Sequence, residues 1–502
     1  MIFFGVLYVV LLGAMVTYGC HRYWLAYGCF WARRARARRR HAATERGPNL
    51  RAQPVESVDD GIARTLGIGG AGGSWPKVLV QLPLYNEGEV AARLIESAAA
   101  LDYDRSALEI QVLDDSDDGS EHLVAREVSR WRQLGVPIEH LRRSTRAGYK
   151  AGALRAGLER TSAEFVAIFD ADFVIPSDFL RRAIAPFADP RVGMVQTRWS
   201  YLNEGANLLT RVQAVLLDGH FAVEHCARAA AGRFFNFNGT AGVWRISAIE
   251  DAGGWRADTV TEDLDLSVRA WLRGWRFRYL DEVRVPSSLP EAMAAYKVQQ
   301  NRWVSGSLQT AKQCLPKVWR SSLSRLDKLD LTLYLTGNLA YLLLFLMALA
   351  VPVAVLLRLD QSRAAFVFWA DLPFFVFATL SVFVFYGAAR QGRRPGRFFV
   401  LRLPLLMALG LGMSLHNTRA ILRGLLGQSR VFDRTPKGGL HREARSARRR
   451  DPVAWLEPLM AIYLTLPALI VLRGWAILSV PSLALFIAGF VIVSWRAPTV
   501  RG

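Results

Sequence analysis

A chain of 502 residues that is 52% hydrophobic, 21% charged and carries a formal net charge of +20 is not an ordinary soluble globule. Basic soluble proteins of this size carry more charge and less apolar bulk. The composition also excludes a disordered chain and a secreted disulfide scaffold. The charge must then meet nucleic acid or flank membrane spans.

In chain order, residues 1–20 form the first apolar stretch, predicted to span a membrane over 2–21. Arginines follow it instead of a small-residue cleavage pattern, as they would after a signal anchor. Residues 26–51 hold eight arginines against Glu45, a net +7. Residues 418–451 hold ten Lys/Arg against Asp433, Glu443 and Asp451, again +7. Both basic segments abut apolar stretches, and no module with interleaved aromatics is present, so no nucleic-acid partner is expected. The charge reads as the positive-inside signal of cytoplasmic loops. Residues 52–75 form a Gly-rich linker. The four cysteines, Cys20, Cys29, Cys226 and Cys314, have no metal or CxxC spacing and are expected as isolated reduced thiols.

From 77 to about 285 short apolar runs alternate with helical segments. KVLVQLPLY (77–85), EIQVLDDS (109–116), IEHLR (138–142) and EFVAIFDAD (164–172) are predicted strands. Helices are predicted over 87–101, 121–134 and 150–160. Apolar strands alternating with helices imply a parallel sheet covered on both faces, with ligands at the C-terminal strand ends. Asp114 and Asp115 close one strand, and Asp170 and Asp172 another. An Asp-x-Asp pair in extended chain points both carboxylates to one side. Such a pair can share a divalent cation, Mg²⁺ or Mn²⁺, which also grips a diphosphate, or can simply cap a strand-end turn. In TEDLDLSVRAWLRGW (261–275) Thr261 is a predicted helix cap, with Glu262 and Asp263 in the first turn. A carboxylate there could serve as general base or could only complement the helix dipole. In YKVQQNRWVSG (296–306) a helix brings Gln299, Arg302 and Trp303 to one surface. That surface could clamp a diphosphate and stack a sugar, or could sit at a membrane interface.

Further spans are predicted over 331–357, 364–386, 453–472 and 474–495. The stretch 398–427 is apolar but carries Arg402, His416, Arg419 and Arg423, and is predicted to lie in the cytoplasmic interface. The resulting topology has the N-terminus outside and 26–330, 387–452 and the C-terminus cytoplasmic.

In order, QLPLYNE (81–87), LDDS (113–116), RAGYKAGAL (146–154), FDADF (169–173), FNGTAGVWR (237–245), TED (261–263) and QQNRW (299–303) resemble the motifs of processive, membrane-embedded family 2 glycosyltransferases of the cellulose-synthase superfamily. The run VQTRWSYLNEGANLLTRVQ (195–213) brings the resemblance nearest to the cellulose-synthase-like A, or mannan synthase, branch. It covers about 76–440. Residues 432–437, FDRTPK, resemble the gating loop of cellulose synthases, with Arg434 where that motif has valine and Lys437 at its end.

The resemblance implies a glycosyltransferase A-type α/β domain, with a Rossmann-like mixed or parallel sheet, inserted between transmembrane helices. The implied division is 1–25 transmembrane helix, 26–75 linker, 76–290 glycosyltransferase domain, 291–330 interfacial helices, 331–386 two spans, 387–452 interfacial helix and gating-like loop, and 453–495 two spans. It assigns Tyr85, Glu87, Asp114 and Asp115 to the nucleoside and Lys150, Gln299, Arg302 and Lys437 to the diphosphate. Asp170 and Asp172 would hold the Mg²⁺ or Mn²⁺. Asn238, Gly239, Thr240 and Trp303 would face the acceptor, and Asp263, with Glu262 beside it, would be the catalytic base. The implied reaction is inverting polymerisation of a β-mannan, glucomannan or β-glucan from GDP-mannose or UDP-/GDP-glucose. The implied partners are the growing glycan, the lipid bilayer and export or accessory subunits. A bacterial inner membrane is expected from the Ala/Arg-rich composition, with a Golgi membrane as the alternative. Two alternatives are a non-processive transferase acting on a lipid carrier and a transporter without chemistry. A transporter has no need of paired carboxylates at the strand ends of a large soluble domain.

Overall fold

The computed structural model describes residues 2–45, 75–358, 361–390, 399–427, 451, 453–469 and 480–494. The linker 52–74 and the gating-like segment with Arg434 and Lys437 lie outside the described residues. A seven-stranded sheet runs in the order β3-β2-β1-β4-β6-β5-β7. The strands are β1 (Val78–Leu84), β2 (Leu108–Asp114), β3 (Ile138–Arg142), β4 (Phe165–Ile168), β5 (Val192–Tyr201), β6 (Gly242–Arg245) and β7 (Arg276–Ser287). The four predicted strands are present and mutually parallel. The sheet is nevertheless mixed, because β6 runs antiparallel to both β4 and β5.

The chain builds outward from β1 to β2 and β3, then returns to place β4 on the other side of β1. That reversal opens a crevice at the carboxyl ends of β1 and β4, where open α/β sheets bind ligands. The strand predicted over 164–172 stops at Ile168, earlier than expected. Asp170 and Asp172 lie in the turn beyond it, where the Phe173 N–H donates to the Asp170 carbonyl at 3.1 Å.

Helices α2 (Gly88–Ala99), α3 (Ser120–Gln133), α4 (Tyr149–Leu158) and α5 (Phe179–Ile184) flank the parallel half. One core layer gathers Val80, Leu82, Ile110, Val112, Phe169 and Phe179, all essentially inaccessible. The opposite face of the sheet is covered differently. There α6 (Leu208–Asp218), a π-helical turn over Gly219–His225 and α7 (Cys226–Ala230) form one continuous run. After α8 (Ile246–Asp251) come α9 (Glu262–Leu272), α10 (Met293–Arg320) and α11 (Arg325–Thr336). The core on this face joins Phe221, Phe237 and Trp244 to Phe385, Tyr386 and Phe399 of the apolar helices. One hydrophobic core therefore crosses from the sheet into the helical part.

The apolar helices are α12 (Leu339–Arg358), α13 (Gln361–Ala389), α14 (Phe399–Gly412), α15 (Ser414–Leu425), α16 (Leu456–Ala468) and α17 (Val480–Ser494), with α1 (Ile2–Glu45) preceding the sheet. Among the described residues only Leu339–Leu356 is by itself long and apolar enough to cross a membrane. The stretch predicted as one interfacial helix is broken at Met413 into α14 and α15, bent by 47°. Its halves differ in character. Gly412 of α14 lies backbone to backbone against Gly489 of α17, leaving no room for a side chain at either. The amphipathic half, α15, packs on α10, with Gly424 against the Ser305 backbone.

A buried ionic cluster joins α10, α15 and α16. The Lys297 ammonium donates to both Glu457 oxygens at 2.6 and 2.7 Å and to Asp451 at 3.4 Å. His416 Nδ1 lies 3.4 Å from the same Asp451 oxygen. His416, Asp451 and Glu457 have the donor types and closeness of a metal site. Lys297 already supplies the cation there, so the arrangement is a salt-bridge cluster.

Candidate active site

The crevice is assembled from the loops that follow β1, β2 and β4, together with the start of α4, the 237–240 segment and the N-terminus of α9. Beyond the end of β1, the Arg146 guanidinium sits 3.3 Å from the centre of the Tyr85 ring and 5.0 Å from that of Tyr149. Arg143 grips Asp115 through both carboxylate oxygens, its Nε at 2.9 Å from Oδ1, and also donates to the Ala147 and Tyr149 carbonyls. Asp115 therefore fixes the 146–149 loop beside Tyr85. Glu87 precedes α2, its carbonyl accepting from Val90 and Ala91.

Asp114 is placed differently from its neighbour. It is buried, accepts from the Ser116 N–H at 3.0 Å and contacts His140 Nε2 at 2.9 Å. Burial alone would raise its pKa, but His140 and Ser116 outweigh it and hold the carboxyl below the ordinary range. These bonds tie β2 to β3 and occupy the Asp114 carboxylate within the sheet. Strand alternation accounts for the split, since adjacent residues face opposite sides.

The centre of the crevice is a lysine shared by two segments. Lys150 Nζ donates to Asp170 Oδ1 at 2.6 Å and to the Gly239 carbonyl at 2.8 Å. Burial would lower its pKa; Asp170, Glu262 and Asp263 reverse that and raise it. The Asp170 N–H donates to Thr240 Oγ1 at 2.9 Å, so the DAD turn and the FNGT segment are locked together. Gly239 has φ +79°, and a Cβ built there would stand 2.8 Å from Asp263 Oδ2 and 3.6 Å from Lys150 Nζ. Only glycine brings these three groups so close.

Asp263 opens α9. Its Oδ1 accepts from the Leu264 N–H at 2.8 Å, and its carbonyl accepts from Ser267 Oγ at 2.6 Å. Burial and the adjacent Glu262 carboxylate push its pKa up to about 7, against the pull of Lys150 and Arg302. Burial raises Glu262 as well. Asp263, Asn238 and Trp303 are among the residues that line a cavity of about 700 Å³. The cavity continues past Tyr296 and Tyr341 to Met347 and Phe486 of the apolar helices.

Asp170 and Asp172 suit a hard divalent cation in chemistry: two carboxylates two residues apart, at a strand end, beside a lysine suited to a diphosphate. In the QQNRW helix the motif points to Gln299, but the neighbour that lines the cavity is the buried Gln300. Two further residues, His220 and Glu224, carry no sequence motif. They line the same cavity and bond to each other at 3.0 Å. Their signal is weak, because the π turn that carries them breaks helical periodicity.

Two family profiles match this chain. "Glycosyl transferase family 2" covers residues 80–243, the crevice from β1 to β6, and "Glycosyl transferase family group 2" covers 165–385. The chain belongs to the family 2 glycosyltransferases. The relative "Probable glucomannan 4-beta-mannosyltransferase 4" of Oryza sativa subsp. japonica is 38% identical over 359 residues, covering 70% of this chain. The match spans 64% of the length of that relative, a little under two thirds. Among solved structures, the mannosyltransferase PcManGT of Pyrobaculum calidifontis, in complex with GDP-Man and Mn²⁺, is 20% identical with a TM-score of 0.46. It covers 76% of this chain and 98% of its own. S. aureus TarS 1-349 is 15% identical with a TM-score of 0.38, covering 70% and 89%.

Proposed function

We propose that this chain is a processive, inverting glycosyltransferase. It would polymerise a β-linked mannan or glucomannan from a nucleotide sugar and pass the product between its own apolar helices. The observation that carries the reading is the cavity that begins at Asp263, Asn238 and Trp303 and runs on among the apolar helices. A site that adds one sugar and releases it has no use for such a passage. A mannosyl donor, placed ahead of a glucosyl one, is supported by the likeness to the rice glucomannan mannosyltransferase, and GDP-mannose is the form of it that the sequence resemblance implies.

In the proposed reaction Asp263 removes the proton of an acceptor sugar hydroxyl. That oxygen forms a bond to the anomeric carbon from the face opposite the diphosphate, and the bond from that carbon to the diphosphate oxygen breaks with its electron pair. Configuration inverts, and the proton leaves Asp263 to solvent after release. Lys150 and Arg302 balance charge on the departing diphosphate. Asp170 and Asp172 would hold a Mg²⁺ or Mn²⁺, which when bound supplies further positive charge beside the diphosphate. Tyr85, Glu87 and Asp115 would form the nucleoside end, and Trp303 would stack the terminal acceptor sugar.

A membrane setting, with the catalytic domain cytoplasmic, is part of the same proposal. It is supported by the apolar Leu339–Leu356 helix and by exposed apolar side chains on neighbouring helices, such as Leu401, Leu466 and Val491. The deciding experiment incubates membranes containing the full chain with each nucleotide sugar in turn, and measures nucleotide release, product length and linkage. Long β-1,4-linked mannan from GDP-mannose is expected. Single-sugar products on a lipid would replace the reading with a non-processive one, and absence of nucleotide release from every donor would end it.

A further inference from the structure

The run from α6 to α7 would be an ordinary helix but for its π-helical middle, Gly219–His225. π turns are rare and occur mostly where function requires a side chain to be re-aimed. Here the turn aims His220 and Glu224 into the cavity that also holds Asp263 and Trp303. His220 bridges two groups: its Nδ1 lies 3.0 Å from Glu224 Oε2 and its Nε2 lies 2.9 Å from Asn238 Oδ1. Asn238 is held from its other side by the buried His225, whose Nε2 lies 3.0 Å from Asn238 Nδ2.

Glu224 is anchored in turn. Arg228, with no exposed surface, reaches Glu224 Oε1 at 3.4 Å and donates to Asp330 of α11 at 2.8 Å. Arg228 also lies 3.2 Å from His21 Nε2 on α1. Burial would raise the Glu224 carboxyl, but His220 and Arg228 outweigh it and hold it far below the ordinary range. Glu224 is thus a fixed anion, too weak a base to take a sugar proton at neutral pH. Its part is to hold the imidazole.

We propose that His220, braced by Glu224, is a positioning residue for the acceptor: it fixes the Asn238 amide so that one hydroxyl of the terminal sugar, and not its neighbours, faces Asp263. The inference rests on the proposed transferase reading. An amide aimed by an imidazole fixed at both ring nitrogens has little rotational freedom. That restriction is what selects between hydroxyls of similar reactivity on one ring.

The test uses the full chain in membranes, with GDP-mannose as donor and short β-1,4-linked manno-oligosaccharides as added acceptors. Steady-state constants for each substrate and the linkage of the product are measured for H220A, H220Q and E224Q. Expected for H220A is a rise in acceptor KM of about tenfold or more, the effect of losing one well-made interaction. Linkages other than that of the unmodified chain should appear, with donor KM unmoved. H220Q, whose amide can still bond Asn238, should recover much of the linkage fidelity, and E224Q should move acceptor KM in the same direction by less. Unchanged acceptor KM and linkage in H220A would overturn the proposal. So would donor and acceptor KM rising together, which is the mark of a general structural loss. An unmodified chain that releases no nucleotide from any donor, with or without added acceptor, overturns the transferase reading itself, a result separable from either.

Discussion

Asp263 is buried against Glu262, and its pKa near 7 sets the pH behaviour of the site. A base must be ionised to act, so transfer is expected to rise with pH through about 7 and to fall off in acid, measured as nucleotide release at saturating donor. D263N should abolish transfer while donor binding persists, and full activity in that variant would remove the assignment. The same substitution has a stability signature of definite sign. A carboxyl whose folded pKa is raised costs stability once pH exceeds its unfolded value, about 4, and the cost is complete above about 7. D263N should therefore melt higher than the unmodified chain at pH 8, and the difference should vanish towards pH 4. Gly239 gives a complementary case. G239A meets both a left-handed backbone and the Asp263 carboxylate, so about 1–2 kcal/mol of stability should be lost and transfer should drop steeply. A thermal melt and a rate assay check the two effects separately. At this scale the motif groups Asp114 with Asp115, and their different surroundings emerge only in the structure, where the two-residue period of the strand accounts for them. His220, Glu224 and Gln300 are beyond that rule, because a π turn and a doubled glutamine leave no periodic trace.

Among the elements, the four parallel strands follow from apolar runs bounded by turn residues. Strands β5, β6 and β7 have no comparable signature. Their pairing is long-range, and an antiparallel insert such as β6 depends on partners distant in the chain. The 398–427 stretch shows a similar limit. Its mixed arginine and apolar content is legible, but the break at Met413 separates an apolar half from an amphipathic one, and averaging over both conceals it. The helix carrying Gln299 to Trp303 is held against α15 and α16 by Lys297. Methionine at that position removes the ammonium from the buried Glu457 and leaves Asp451 only His416 within the cluster. K297M should lose about 3–5 kcal/mol, the usual penalty for breaking a buried ion pair. Pairing it with E457L should return much of that loss. A thermal melt of both variants in detergent decides it, and a double variant no better than the single one would show that the cluster is not where the stability lies.

Taken whole, the molecule has no clean seam between its catalytic and apolar parts. The first helix is an example: Leu25, Ala26 and Cys29 are buried in the catalytic core, and Arg33 donates to the carbonyls of Ala222 and Ala388 at 2.8 and 2.7 Å. Residues 76–290 expressed alone should expose that surface and aggregate, as judged by size exclusion, whereas a chain retaining 1–45 and the apolar helices should run as a discrete species. A monodisperse 76–290 fragment would mean the shared core is dispensable. The family resemblance implies a domain boundary at 290, and packing across that line is invisible in the motifs that carry it. The shared core also bears on how such a molecule can change over generations. Phe221 and Phe237 on one side share a continuous core with Phe385, Tyr386 and Phe399 on the other, so a catalytic unit exchanged wholesale from a distant relative would arrive without its matching partners. Recombination at the apparent boundary is then penalised, whereas substitutions confined to the crevice leave the shared core intact.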